Sequence, residues 1–178
     1  MKEVEILVKV FENKDKILKT LNQFHFTGKN KVLDIYYCIP QKQSKNEWFR
    51  LRKKNNKFYI AYKKDIFEKG KWIYSEEEET EVKAFKTMQK IISNLGFKEL
   101  IRINNLKHTF ETKDYEIVFE EVKDLGLFLE VEKLNVKDNE DIKKIKTEIQ
   151  IFINRLKLKT SKELNKGKPE LMISRASR

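Results

Sequence analysis

The sequence predicts an α+β fold of mostly antiparallel β-strands with helices between them, and closure of the sheet around its charged faces is one of two readings of those charges. Three observations predict this. Apolar and polar residues alternate with period two in eight segments, the spacing of half-buried strands. Short turns join neighbouring segments, which favours antiparallel pairing. Charges of one sign recur two residues apart on single strands: Glu3 and Glu5; Arg50 and Arg52; Glu77, Glu79 and Glu81; Glu130 and Glu132.

In chain order, Val4, Ile6, Val8 and Val10 share one face of a first strand, with Glu3, Glu5 and Lys9 on the other. Asn13 caps a first helix with Ile17, Leu18 and Leu21 as its apolar stripe. A second strand covers 32–39, and 47–54 with 57–64 form a hairpin turning at Asn55-Asn56. Residues 72–82 are a fifth strand. A helix follows over 84–95, ended by Gly96. Strands over 99–111, 114–122 and 127–134 complete the set of eight. A third helix starts near Asp138 and carries Ile142, Ile145, Ile149 and Ile153 inward. Pro169 and a polar tail lie beyond it. His25, between Phe24 and Phe26, reads as a packing residue.

Composition bounds the rest. The 178 residues suit a single domain over 1–178, with residues 157–178 a basic tail of seven Lys/Arg against two Glu. Apolar residues make up 39%, enough for a core, and 5 Gly with 2 Pro argue against long linkers. One cysteine, Cys38, excludes an intrachain disulfide and a multi-cysteine metal site. With no secretory leader or apolar run of about 20 residues, a cytoplasmic location is expected and no membrane partner. The net charge of +11 favours anionic partners without telling nucleic acid from nucleotide or polyphosphate. No glycine-rich phosphate loop, nucleophile elbow or zinc-ligand spacing is present.

The sorted charges leave two readings open. Half-buried strands have solvated faces, but such faces usually mix signs, because like charges at close range repel. Alternatively the charged faces point inward in a wide, wet barrel. Carboxylates there could hold a hard divalent cation, while Arg50, Arg52 and Lys63 take phosphate oxygens.

Several segments, in order, resemble one family. Glu3-Val4-Glu5 resembles a Glu-x-Glu-x-Lys signature, Asp34-Ile35-Tyr36-Tyr37 an Asp-x-Tyr segment, Phe49-Arg50-Leu51-Arg52 a Leu-Arg-x-Arg strand and Ala61-Tyr62-Lys63 a Thr-Tyr-Lys segment. The block from Glu120 through Leu125-Gly126 to Glu130-Val131-Glu132 is the most specific. Together they are similar to the CYTH proteins, or triphosphate tunnel metalloenzymes, and in layout to the class IV adenylate cyclase-like branch. The resemblance implies an eight-stranded antiparallel β-tunnel. It implies Mg²⁺ or Mn²⁺ near Glu3, Glu5, Glu130 and Glu132, with Glu77, Glu79 and Glu120 as further ligand candidates, and triphosphate contacts from Lys9, Arg50, Arg52, Lys63 and Lys107. ATP, thiamine triphosphate and inorganic triphosphate are the implied substrates, for cyclisation or hydrolysis, in a monomer or homodimer. The sequence departs from the pattern at Leu7, Ser75 and Asn105, where cations are usual, and at Lys168, where tyrosine is. Lys9, Lys64 or the basic tail could restore the charge. A weakened binding module for polyphosphate, nucleotide or RNA is the alternative function, and a basic RNA-binding domain with no metal requirement is a third.

Overall fold

The computed structural model describes residues 2–40 and 46–176; Met1, residues 41–45 and the final two residues of the predicted tail lie outside the described residues. The chain runs β1 (Lys2–Glu3), β2 (Glu5–Lys9), α1 (Lys14–Leu21), β3 (His25–Cys38), β4 (Glu47–Lys54), β5 (Lys57–Glu68), β6 (Lys71–Val82) and α2 (Phe85–Asn94). It continues through β7 (Lys98–Glu111), β8 (Tyr115–Val122), β9 (Gly126–Lys133), α3 (Ile142–Arg155) and α4 (Lys168–Ala176).

All strands belong to one antiparallel sheet in the order β1-β6-β5-β4-β3-β7-β8-β9-β2. Its two ends are consecutive pieces of one segment. Lys2 and Glu3 pair with Glu76 and Ser75 of β6, and Glu5 to Lys9 pair with Glu132 to Phe128 of β9. The N-terminal segment therefore joins both edges and wraps the sheet into a nearly closed barrel. Nine strands replace the expected eight because this segment breaks at Val4, where it changes partner.

Alternation decides what lies inside and outside. Val4, Ile6 and Val8 point outward with Ile117, Phe119, Leu129 and Val131, and pack under Ile17 and Leu21 of α1 and Ile145, Ile149 and Ile153 of α3. Each fully buried side chain of this size contributes about 1.5–3 kcal/mol. A second outer cluster sets Ile35, Tyr37 and Leu51 against Ile92, Phe85 and Met88 of α2. Helix α1 begins as expected, the Asn13 side chain accepting the Lys16 N–H at 2.8 Å. The third helix starts later than expected. Asp141, not Asp138, caps it by accepting the Lys143 and Lys144 N–H groups.

Three further details depart from the sequence expectation. Strand β3 begins seven residues early, at His25, because it pairs with the far end of β7 (His25 with Glu111). His25 is thereby an exposed strand residue, not a packing one. The polar tail contains a fourth helix, α4, whose Leu171, Met172 and Ile173 pack with Leu164 on an apolar cluster of Leu7, Tyr36, Trp48, Ile103, Val122 and Phe128.

Candidate functional site

The second face of the strands forms the interior. Glu5 and Leu7 from β2, Asp34 and Tyr36 from β3, Trp48, Arg50 and Arg52 from β4, Lys63 and Asp65 from β5, Asn105 and Lys107 from β7 and Glu130 from β9 line one cavity. Gly167, Lys168 and Pro169 line it from the C-terminal side. Its volume is about 70 Å³. A water needs about 10–15 Å³ by this kind of measure, so the space holds a few waters.

Ion pairs fill the interior. The Arg52 fork donates to both oxygens of Asp34, Nε at 2.7 Å and Nη2 at 3.0 Å. Burial pulls the Asp34 carboxyl upward, but Arg52 outweighs it and leaves the acid well below its usual range. Arg50 donates through Nη2 to Glu77 and, at 2.8 Å, to Glu79, while its buried Nε–H has no acceptor among the described residues. Lys63 gathers three carboxylates: Glu3 at 2.9 Å, Glu5 at 3.5 Å and Glu77 at 3.6 Å. Lys107 stands 3.3 Å from Glu120. Lys168 donates to Glu120 and, at 2.5 Å, to Glu130.

Even so, carboxylates are in excess. Glu5 pairs across the sheet with Glu132, and Glu132 with Glu116, so three carboxylates stand in one row across β2, β9 and β8. Burial and this crowding push Glu132 up to about 9 and Glu5 up to about 7, and raise Glu3 and Glu116. Glu130 instead falls well below its usual range: burial opposes the shift, and Lys168 with Lys107 outweighs it.

Of the residues singled out from the sequence, Glu3, Glu5, Glu77, Glu79, Glu120, Glu130, Glu132, Arg50, Arg52, Lys63 and Lys107 come together in this interior. Lys9 does not reach the cavity. It lies at the end of β2, where a Cβ on Gly126 would come within 3.5 Å of its Cε. Lys64 is exposed. The three neutral positions are interior: Leu7 in the apolar cluster, Asn105 on the cavity wall, and Ser75 buried between Asp65 and Trp72. Sequence reasoning missed Glu116, although alternation with Glu120 signals it, and gave Lys168 no assigned role.

The donor set suits a hard divalent cation. It is all oxygen, it is crowded with like charge, and Glu120 Oε2 is buried with no hydrogen-bond donor among the described residues. As placed, no three His, Cys, Asp or Glu groups among the described residues converge as a metal cage, because these carboxylates are turned onto Lys63, Lys168 and Arg50. Among the described residues no helix is long and apolar enough to cross a membrane.

Comparison with known proteins places this architecture. The CYTH-domain profile matches residues 1–167. A candidate adenylate cyclase of Methanocaldococcus jannaschii is 31% identical over 177 residues, covering 96% of this chain and 98% of that protein. The PH1819 protein of Pyrococcus horikoshii superposes with a TM-score of 0.80 at 25% identity, covering 96% of this chain and 99% of that one. A candidate adenylyl cyclase of Hippeastrum, described as having a dominant triphosphatase activity, shares the fold with a TM-score of 0.69 at 14% identity, over 99% of this chain and 96% of its own. With the profile spanning nearly the whole chain and the barrel interior built as above, this protein belongs to the CYTH family.

Proposed function

We propose that the protein is a metal-dependent enzyme acting on a triphosphate, either cyclising ATP or hydrolysing an organic or inorganic triphosphate. The observation that carries this is the interleaving of Arg50, Arg52, Lys63 and Lys107 with crowded carboxylates inside one barrel. The cations supply phosphate contacts. Asp34 holds the Arg52 fork in place, and Arg50 keeps a buried N–H for a phosphate oxygen. Glu3, Glu5, Glu130 and Glu132, with Glu77, Glu79 and Glu120, would hold Mg²⁺ or Mn²⁺, which neutralises phosphate charge and polarises the bond to be broken.

The walls contribute positioning and electrostatics. In cyclisation the ribose 3′-hydroxyl oxygen bonds to the α-phosphorus, the bond to the bridging oxygen breaks, and pyrophosphate leaves. In hydrolysis the water oxygen bonds to the terminal phosphorus, its bond to the bridging oxygen breaks, and phosphate forms as the diphosphate-bearing remainder leaves. A second reading, a binding module that has lost rapid chemistry, is favoured by the neutral side chains of Leu7, Ser75 and Asn105 inside the barrel.

Turnover of ATP, thiamine triphosphate and inorganic triphosphate with Mg²⁺ or Mn²⁺ tests this. Cyclic AMP with pyrophosphate identifies a cyclase, and phosphate release a triphosphatase. Triphosphate binding without any turnover establishes the binding module in its place.

A further inference from the structure

Lys168 is the first residue of α4 and lies just past the part of the chain that the family profile matches. Its ammonium holds Glu120 of β8 and Glu130 of β9 together, with the Lys168 side chain 13% exposed and that of Glu120 fully buried. One cation bridging two carboxylates from adjacent strands does what a divalent ion would do there. Glu120 Oε2 still lacks a donor, which an ammonium already engaged on both carboxylates leaves unmet. The Leu164, Leu171, Met172 and Ile173 side chains, and the Leu164 N–H on the Leu7 carbonyl at 2.8 Å, also hold the arm that carries Lys168. With Gly167 to Pro169 on the wall, the cavity of about 70 Å³ is far below the roughly 300 Å³ of a small-ligand pocket.

We infer that Lys168 is an internal competitor for the divalent cation, and that metal binding at Glu120 and Glu130 releases the C-terminal arm and widens the barrel for a triphosphate. This rests on the metal-site reading above. A divalent ion carries twice the charge of the ammonium and gains the oxygen that Lys168 leaves without a partner. The displaced ammonium then leaves the carboxylates, and the arm loses both of its ion pairs to the barrel wall, keeping among the described residues only that of Glu163 with Lys146 of α3.

Mn²⁺ alone is the probe, titrated into the full chain by calorimetry and by the free-ion spin-resonance signal. Lys168→Gln is expected to bind Mn²⁺ at least about tenfold more tightly than the parent, a gain of about 1.4 kcal/mol, while Lys168→Arg stays near the parent value. Hydrogen exchange on the unmodified protein needs no variant: amides of residues 164–176 should exchange faster once Mn²⁺ is added. Equal Mn²⁺ affinity in folded Lys168→Gln and parent, or arm exchange indifferent to Mn²⁺, overturns the competitor role and leaves the metal site standing. Failure of both proteins to bind Mn²⁺ overturns the metal site and the competitor with it.

Discussion

Glu132 faces Glu5 on one neighbouring strand and Glu116 on the other. Like charges directly opposite one another in a sheet destabilise it. Burial, with this crowding added, raises the Glu132 and Glu5 affinities for protons on folding, to about 9 and about 7, from an ordinary 4.5. The folded state binds protons that the unfolded chain has released, so this stabilisation is complete below about pH 4.5 and is lost as pH rises towards 9. In a chelator, the midpoint of thermal unfolding should fall across that window, and Mg²⁺ should reduce the fall. Glu132→Gln should flatten the upper part of the curve and raise the midpoint at pH 8 by roughly 2–4 °C per kcal/mol recovered. A slope unchanged by the substitution would mean Glu132 is not the group responsible. Alternation put Glu3 with Glu5 and Glu130 with Glu132 on shared strand faces, and the family resemblance turned both pairs inward. Neither could show that Lys63 and Lys168 neutralise part of the set and leave Glu132 without a cation partner among the described residues, since those pairs join residues far apart in the chain.

At the scale of elements, β4, β5 and β6 meet in a buried chain of hydrogen bonds. Trp48 Nε1 donates to Asp65 at 2.6 Å, Ser75 Oγ donates to the other Asp65 oxygen at 2.7 Å, and Trp72 Nε1 donates to Ser75 at 3.1 Å. Ser75→Ala leaves the Trp72 N–H without its acceptor and Asp65 with one donor fewer, which should cost about 1–3 kcal/mol in urea unfolding. A loss under half that would mean water replaces the hydroxyl. Helix α2 offers the reverse case. Its cap residue Ala84 has extended backbone but no side-chain acceptor, unlike Asn13 and Asp141. Ala84→Ser should gain about 1 kcal/mol, read as a higher unfolding midpoint. The helices α1 to α3 were legible from their apolar stripes, with Asn13 as a start signal for α1 and Gly96 as a stop signal for α2. Helix α4 was not: its start at Lys168-Pro169 reads as a stop after α3, and its apolar face makes sense only against a tunnel wall assembled from distant strands. The first strand's break at Val4 was equally hidden, because a change of partner leaves the alternation intact.

Across the whole molecule the charge is divided. The chain carries +11, yet carboxylates outnumber cations inside the barrel. The outside attracts polyanions, and the inward excess of carboxylates opposes them; on the proposed function, divalent ions would offset that excess. Triphosphate binding should therefore be absent in a chelator and appear with Mn²⁺, a comparison that equilibrium dialysis makes directly; equal binding in both conditions would place the anion elsewhere. Closure of the barrel sets its own timetable. The segment Lys2–Lys9 is the seam between β6 and β9, so it leaves the ribosome well before its second partner exists. At about 5–20 residues per second, the wait is on the order of ten seconds. For that time the nascent chain carries two unpaired strand edges and an uncovered row of carboxylates. The sheet completes itself by recruiting one of its earliest residues last, and a holding chaperone would have most to protect during that interval.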